Sequence, residues 1–331
     1  MSAIPFVPRI DDAPYAIAEQ VSPLIQRVIA NNPSKFTYRG TGTYIVGTKD
    51  VVVIDPGPDI ESHRDALERA LDGRRVVGIA VTHCHADHSP LSKWLNEQTG
   101  APRFAIGPHA EHPGYVYEDD SFLDPPAAEN EQDENEDGDE EHKETIDTDF
   151  VPDVAVTDGE TFIATPEFSL TAVATPGHTS NHMCVAFAEE NALFTGDHIM
   201  GWSTTVVSPP DGDMTDYMAS LQKVIHRNDS ILWPTHGGPV REPQPFLHAY
   251  AAHRYERERQ IIQQLELGPR TIHDIVEVLY AEVPQPLHKP ARRSVWSHLR
   301  KLHNDTIVVT TDNGAPRLLS TYQLVPGAHH A

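Results

Sequence analysis

A chain of 331 residues, 39% of them apolar, is long enough to bury one full-sized core and a second, smaller one. No apolar run approaches the roughly 18 residues of a membrane-spanning helix, and residues 1–12 carry neither the basic nor the apolar segment of an export signal, so the chain is expected to be soluble, cytoplasmic and free of membrane contact. Acids outnumber bases by 49 to 25, a net charge of −24 that argues against a polyanionic partner wherever it is spread over the surface.

From the N-terminus, short β-branched runs alternate with helical patterns. Strands are predicted at 43–46, 51–54, 76–81, 103–106, 168–174, 183–187, 192–194 and 231–233, and helices at 60–71 and 91–98 lie between them. Ser89 is expected to cap the second helix, with Pro90 in its first turn and Gly100 behind its end. Alternation of this kind gives a layered α/β domain.

The negative charge is concentrated, not spread. Residues 118–149 hold 16 acids and one lysine, a local charge of −15 that leaves −9 for the rest. The centre of this stretch, 129–141, has no apolar residue to bury, and its like charges repel, so 118–149 is expected to be a disordered insertion. Cys84 and Cys184 cannot build a disulfide framework and read as small core residues in a reducing compartment.

From Pro243 a long helical pattern runs to a Leu267-Gly268-Pro269 stop, which places a boundary near 265 and divides the chain into 1–264 and 265–331. Beyond it Thr271 caps a helix and a second helix covers 290–303. Residues 307–309 and 317–319 are expected to pair as a hairpin across Asp312-Asn313-Gly314. Helices followed by a two-stranded wing make a winged-helix-like domain.

The chemistry sits at strand ends. The apolar run 76–81 leads through Thr82 into His83-Cys84-His85-Ala86-Asp87-His88, four potential ligands in six residues. Alternation along an extended segment sends His83 and His85 to one side, while the turn into the next helix redirects Asp87 and His88 to a second point nearby. His178, Asp197 and His236 each follow another predicted strand, with glycines beside them that allow close backbone approach. Five histidines and two aspartates so placed suit a borderline divalent metal and suffice for two ions.

This HxHxDH stretch with later, separate His, Asp and His residues resembles the metallo-β-lactamase fold superfamily over about residues 40–240, and Val53-Ile54-Asp55-Pro56-Gly57 stands where that family has its early Asp-x-Gly turn. The resemblance implies a four-layer αββα sandwich and a dinuclear-metal hydrolase working through a metal-bridging hydroxide. Carried over by motif position, His83, His85 and His178 hold one ion, Asp87, His88 and His236 the other, and Asp197 bridges them. Two Zn2+ are implied, with Mn2+ or Fe2+ acceptable to the same donors. Asp55 orients the ligand loop. Asp87 is the expected catalytic carboxylate, aiming the hydroxide. His182 is the nearest further catalytic candidate, to orient substrate or protonate the leaving group, with a purely structural role as its alternative.

A finer likeness lies in Pro176-Gly177-His178-Thr179-Ser180-Asn181-His182-Met183, in Thr195-Gly196-Asp197-His198-Ile199-Met200-Gly201 and in Asp216-Tyr217-Met218-Ala219-Ser220-Leu221. These are similar to the lactamase-beta-like-protein-2 branch, which joins the hydrolase domain to a small winged-helix-like domain and includes an endonuclease of single-stranded RNA. In this chain, helix 288–303 carries Lys289, Arg292, Arg293, Arg300 and Lys301 with no acid among them, a candidate grip on phosphates. The expected function is therefore phosphodiester cleavage in single-stranded RNA. The alternative is hydrolysis of a small-molecule thioester or lactone of the hydroxyacylglutathione or acyl-CoA kind; the third reading is a metal-stabilised regulator without activity. His198-Ile199-Met200-Gly201-Trp202 replaces the loop usual in the hydroxyacylglutathione hydrolases, and the missing export signal argues against a β-lactamase.

Overall fold

Valine- and isoleucine-rich runs, the central ones buried on both faces, build two sheets. In the computed structural model, which describes residues 4–7, 10–109, 118–119, 123 and 145–327, seven strands of the first sheet lie side by side in chain order. They are β1 (Ala18–Gln20), β2 (Ile25–Ile29), β3 (Gly42–Val46), β4 (Asp50–Ile54), β5 (Arg75–Ala80), β6 (Arg103–Ala105) and β7 (Val154–Ala155). The second sheet holds β8 (Thr161–Ala164), β9 (Ser169–Ala174), β10 (Met183–Phe187), β11 (Ala192–Gly196) and β12 (Ile231–Pro234), in the order β12-β11-β10-β9-β8.

Alternation assigns each side chain to a layer. Val52 and Ile54 of β4, with Tyr44 and Val46 of β3, meet Leu170, Ala172, Met183, Val185 and Phe194 between the sheets. Val51, Val53 and Ile45 face the other way, against Ala66, Leu67 and Leu71 of α1 (Glu61–Leu71) and Leu91 and Leu95 of α2 (Leu91–Thr99). On the far side α3 (Met214–Arg227) is tied to the end of β9, with Ser220 donating to the Pro176 carbonyl at 2.8 Å and Lys223 to the Ala174 carbonyl at 2.7 Å. Helix, sheet, sheet and helix form the four-layer αββα sandwich that the resemblance implied. Full burial of each large aliphatic chain contributes about 1.5–3 kcal/mol to holding the layers together.

Packing divides the described chain into two units, one within 4–109, 145–205 and 216–251, the other within 118–119, 123, 206–215 and 252–327. The core of the second gathers Ile261 and Leu265 of α4 (Pro243–Glu266), Ile275 and Val276 of α5 (Ile272–Leu279), and Val295, Leu299 and Leu302 of α6 (His288–Asn304). Val308 and Tyr322 join it from a small sheet of β13 (Arg270–Thr271), β14 (Val308–Thr310) and β15 (Thr321–Leu324), ordered β13-β15-β14, which completes a winged-helix domain. Thr271 caps α5 as expected, in a reciprocal box with Asp274. Because Ile261 and Leu265 belong to this core, the packing boundary falls inside α4, between Ala251 and Ala252.

Several local expectations need correction. No strand is predicted at β2, whose apolar run is broken by Gln26-Arg27; Arg27 is nevertheless buried and reaches Glu19 of β1 at 2.9 Å. Ser89 makes no cap hydrogen bond with α2, because the helix begins one residue later than expected, with Pro90 at its N-cap; the Ser89 hydroxyl donates to Asp147 at 2.6 Å. The partner of β14 is β15, not 317–319; Leu318 is buried in the domain core and Arg317 lies in the turn before the strand. Most of the acidic stretch lies outside the described residues, but its last five do not follow the expectation of disorder. The Ala86 amide donates to the Thr145 carbonyl and the Asp147 amide to the Cys84 carbonyl, both at 2.7 Å, so 145–149 is laid along the ligand loop.

Candidate metal centre

The parallel strands β4 and β5 end side by side, and the chain beyond each turns across the sheet rim. There His83, His85 and His88 are buried, joined by His178 beyond β9, Asp197 beyond β11 and His236 beyond β12, all at most 6% exposed. Asp87 faces outward enough to leave a quarter of its side chain accessible. The seven side chains lie together at this rim. His83 Nε2 and His178 Nε2 lie 3.0 and 3.2 Å from His85 Nδ1. Asp87 Oδ2 is 3.4 Å from His88 Nε2 and 3.2 Å from His236 Nε2. Asp197 touches both groups, with Oδ1 3.5 Å from His88 Nε2 and Oδ2 3.4 and 3.8 Å from His236 and His178 Nε2.

Hydrogen bonds behind the rings decide which nitrogen faces inward. His88 Nδ1 meets the Asp55 carboxylate at 2.9 Å and His236 Nδ1 meets the Gly40 carbonyl at 3.2 Å. Both partners accept, so Nδ1 carries a proton and Nε2 is the nitrogen turned inward, whose lone pair becomes available when a cation takes the place of its proton. The Thr82 hydroxyl spends its one hydrogen on Asp55 at 2.8 Å and therefore accepts from His83 Nδ1 at 3.0 Å, with the same result. Asp55, which the sequence places behind the ligand loop, also accepts from the Thr82 amide and the Thr235 hydroxyl. One buried carboxylate thus fixes β5, His88 and the loop that carries His236.

His182 is placed differently from a group that serves substrate. It is 1% exposed, its Nε2 accepts from the Asp197 backbone amide at 3.2 Å, and its Nδ1 lies 2.8 Å from the Thr175 hydroxyl. Both nitrogens are engaged. A Cβ at Gly196, where φ is +49°, would come within 2.7 Å of His182 Nε2 and 2.8 Å of the Thr82 hydroxyl, so a glycine is required for Asp197 to reach the centre. The loop beyond Asp197 is pinned by Tyr217 and Tyr250, whose hydroxyls donate to the His198 and Ser203 carbonyls at 2.9 Å.

The field inside the cluster is split. Burial, reinforced by neighbouring histidines, pushes His83 well down and His85 to about 3, so these rings are neutral ligands at pH 7. Burial also acts to depress His88 and His236, but Asp87 and Asp197 outweigh it, raising His88 well above its usual range and His236 to about 10. Burial acts to raise the two carboxylates, and the adjacent His88 and His236 outweigh it and hold both well below the usual range. Two buried carboxylates therefore draw positive charge to this point. His88 Nε2 and Asp197 Oδ1 are buried without a hydrogen-bond partner. Three overlapping groups, His83-His85-His178, His83-His88-Asp197 and Asp87-His88-His236, keep their donor atoms within 4.8 Å of one another. Inward lone pairs, paired carboxylates and orphaned buried donors fit divalent cations.

Sequence reasoning missed Thr41, whose hydroxyl lies 2.8 Å from Asp87 Oδ2, and Thr235 behind Asp55. Neither belongs to a spacing pattern that could have flagged it. The five basic residues of α6 are not gathered into one exposed stripe. Arg292 is 2% exposed, and Lys301 pairs with Glu258 at 3.2 Å and Asp305 at 2.8 Å. Arg293 and Arg300 lie 6.0 and 5.8 Å from the Trp296 ring, which is itself buried with its Nε1 donating to the Pro316 carbonyl. Lys289, like Arg292 and Arg293, has a partner. Among the described residues no helix is long and apolar enough to cross a membrane.

Comparison with known proteins matches residues 38–236 to the metallo-beta-lactamase superfamily and residues 271–315 to the beta-lactamase associated winged helix domain. The chain is 32% identical over 297 residues to a beta-lactamase-like protein 2 homolog of Caenorhabditis elegans, covering 88% of each. It is 30% identical over 275 residues to an atrochrysone carboxyl ACP thioesterase of Claviceps purpurea, covering 80% of this chain and 74% of that one. A beta-lactamase domain protein from Burkholderia ambifaria shares the fold over 95% of this chain and 96% of its own, with a TM-score of 0.72 at 19% identity.

Proposed function

The chain belongs to the metallo-beta-lactamase superfamily, and from that premise we propose that it is a metal-dependent hydrolase of acyl thioesters. His83, His85 and His178 would hold one divalent ion, Asp87, His88 and His236 a second, with Asp197 shared; zinc suits this donor set, and manganese or iron would also be accepted. The chemistry such ions supply is activation of water at neutral pH and stabilisation of negative charge on the attacked oxygen. The protein's own part is orientation. Asp55, Thr82 and the Gly40 carbonyl hold the ring tautomers, and His182 keeps the Asp197 backbone in place as a positioning residue. Among the described residues the polar contacts of Asp87 fall on Oδ2, to Thr41, His88 and His236. Its Oδ1 is then the oxygen that accepts a hydrogen bond from the attacking water and aims it at the acyl carbon.

The observation that favours an acyl substrate over RNA is the state of α6. An RNA grip needs exposed cations, and here Arg292 is buried, Lys301 is held by two acids and two arginines flank Trp296. A thioesterase also stands among the relatives that match most of the chain. Phosphodiester cleavage in single-stranded RNA is the second reading, favoured by the winged-helix domain, the fold through which many proteins touch nucleic acid. One panel separates them: metal-loaded protein offered acyl-CoA, acyl carrier protein thioesters, S-acyl-glutathione, lactones, a β-lactam and single-stranded RNA, with Asp87→Ala as blank. Thioester turnover that vanishes in the blank is expected. RNA cleavage with every thioester inert would overturn the reading.

A further inference from the structure

Asp87 lies in the turn after His85, outside any helix or strand, with a quarter of its side chain in solvent. A carboxylate there has rotamer freedom, yet its Oδ2 stands within the ligand cluster. What holds it comes from the loop between β2 and β3. The Ala30 amide donates to the Thr41 carbonyl at 2.8 Å, and Gly40, at φ +140°, passes so close that a Cβ would sit 2.1 Å from the Ala30 carbonyl oxygen. The loop ends are thus clamped. Inside the clamp the Asn32 amide uses both its polar atoms on one residue: Oδ1 accepts from the Thr41 amide at 2.9 Å and Nδ2 donates to the Thr41 hydroxyl at 3.0 Å. A hydroxyl has one hydrogen. Having accepted from Asn32, the buried Thr41 must donate to its other neighbour, Asp87 Oδ2, at 2.8 Å.

We propose that Asn32 and Thr41 are positioning residues for Asp87: a directed hydroxyl fixes Oδ2 in the ligand set and so turns Oδ1 toward the open side, where the attacking water is handled. This rests on the reading that Asp87 belongs to the metal set, and it adds two residues from outside every motif that carries ligands. The neighbouring Gly40 carbonyl, which fixes His236, comes from the same loop, so one clamped segment sets two members of the second group.

The test uses the full chain stripped of metal and titrated with Co2+, followed by its visible absorption, alongside steady-state kinetics of the zinc-loaded protein. Thr41→Val keeps the volume and removes the hydroxyl. It is expected to weaken the more weakly held cobalt and to lower kcat, each by about 10–100-fold, with KM within about threefold of the parent. Thr41→Ser restores the hydroxyl and is expected to recover most of both losses, while Asn32→Ala, which leaves the hydroxyl present but undirected, falls between. Melting curves show whether each variant is folded. A folded Thr41→Val with parental cobalt binding and kcat would sink the proposal, and so would a folded Thr41→Ser as impaired as Thr41→Val. Because the cobalt arm needs no substrate, a Thr41→Val defect there upholds the brace even if no thioester is hydrolysed, an outcome that would count against the proposed reaction alone.

Discussion

The ligand loop 83–88 and helix α6 are the two places where this sequence packs chemistry most densely, and they end differently. In the loop, four candidate residues within six positions deliver their donor atoms into clusters no wider than 4.8 Å. In α6, five cations within 13 positions go their separate ways: Arg292 is buried, Lys301 turns to Glu258, and Arg293 and Arg300 flank Trp296. Geometry accounts for the difference. A strand end followed by a tight turn concentrates side chains on one rim, whereas a helix rotates each residue by about 100° and spreads the same density around a cylinder. Flexible cations also find partners that their own segment lacks; Glu258 is 43 residues from Lys301. Density in sequence is density in space where the backbone forces convergence.

The largest effects should come from breaking that convergence. His85→Ala or Asp87→Ala is expected to lower turnover by roughly three orders of magnitude or more, since several kcal/mol of transition-state stabilisation depend on a complete site. Both variants should stay folded, because the two cores of the sandwich lie elsewhere. Melting curves supply the control. In the parent protein, zinc at 100 times its Kd adds about 2.7 kcal/mol per site and should raise Tm by several degrees, reversibly on chelation. His85→Ala should lose much of that rise. If His85→Ala kept both the activity and the zinc-dependent Tm, the clustered rings would have no metal role.

An intermediate effect tests how the loop is held. Asp55→Asn keeps the shape but replaces an acceptor of four hydrogen bonds with a group that must donate through one of its atoms, so metal affinity or activity should fall about 10–100-fold. Asp55 could be found from the sequence because its Asp-x-Gly turn is local. Thr235, which shares the same oxygen, and Thr41, which holds Asp87, could not: their partners lie 180 and 46 residues away. The same division runs through the fold. Strands with unbroken apolar runs, β4, β5 and β10, are legible to within a residue or two, because burial on both faces leaves no room for a polar interruption. β2 is not, since its Arg27 is neutralised by a strand that is itself three residues long. Ser89 shows the limit for caps: a residue of capping type falls one position before the N-cap, which is Pro90, and its hydroxyl goes to Asp147, which no local rule brings there.

A smaller loss is expected at His182. His182→Phe removes the acceptor for the buried Asp197 amide, costing about 1–3 kcal/mol of stability, and should reduce kcat by roughly tenfold as Asp197 loses its hold. A leaving-group acid would behave otherwise: its removal would abolish the basic limb of the pH–rate profile and spare substrates with good leaving groups. An unchanged basic limb, with equal losses on thioesters of poor and good leaving groups, is the outcome that matches engaged ring nitrogens.

The smallest effect belongs to α6 and puts the comparison at most risk. Removing Arg293 and Arg300 together, each to alanine, takes two cations from the Trp296 ring, worth about 0.5–1 kcal/mol apiece at such sites. The variant should melt a few degrees lower, and its thioester turnover and salt dependence should match the parent's. Whatever weak affinity the parent has for single-stranded RNA should change by less than about threefold, because side chains already engaged on the protein are not releasing counterions from phosphates. A true phosphate grip predicts the opposite: each arginine lost would flatten the slope of log K against log salt by about one. Measuring that slope by fluorescence anisotropy between low and moderate salt decides the matter without any turnover assay. A slope that falls by two would show that cations spread around a helix can still act together on a ligand long enough to reach them all, and would return the RNA reading to first place.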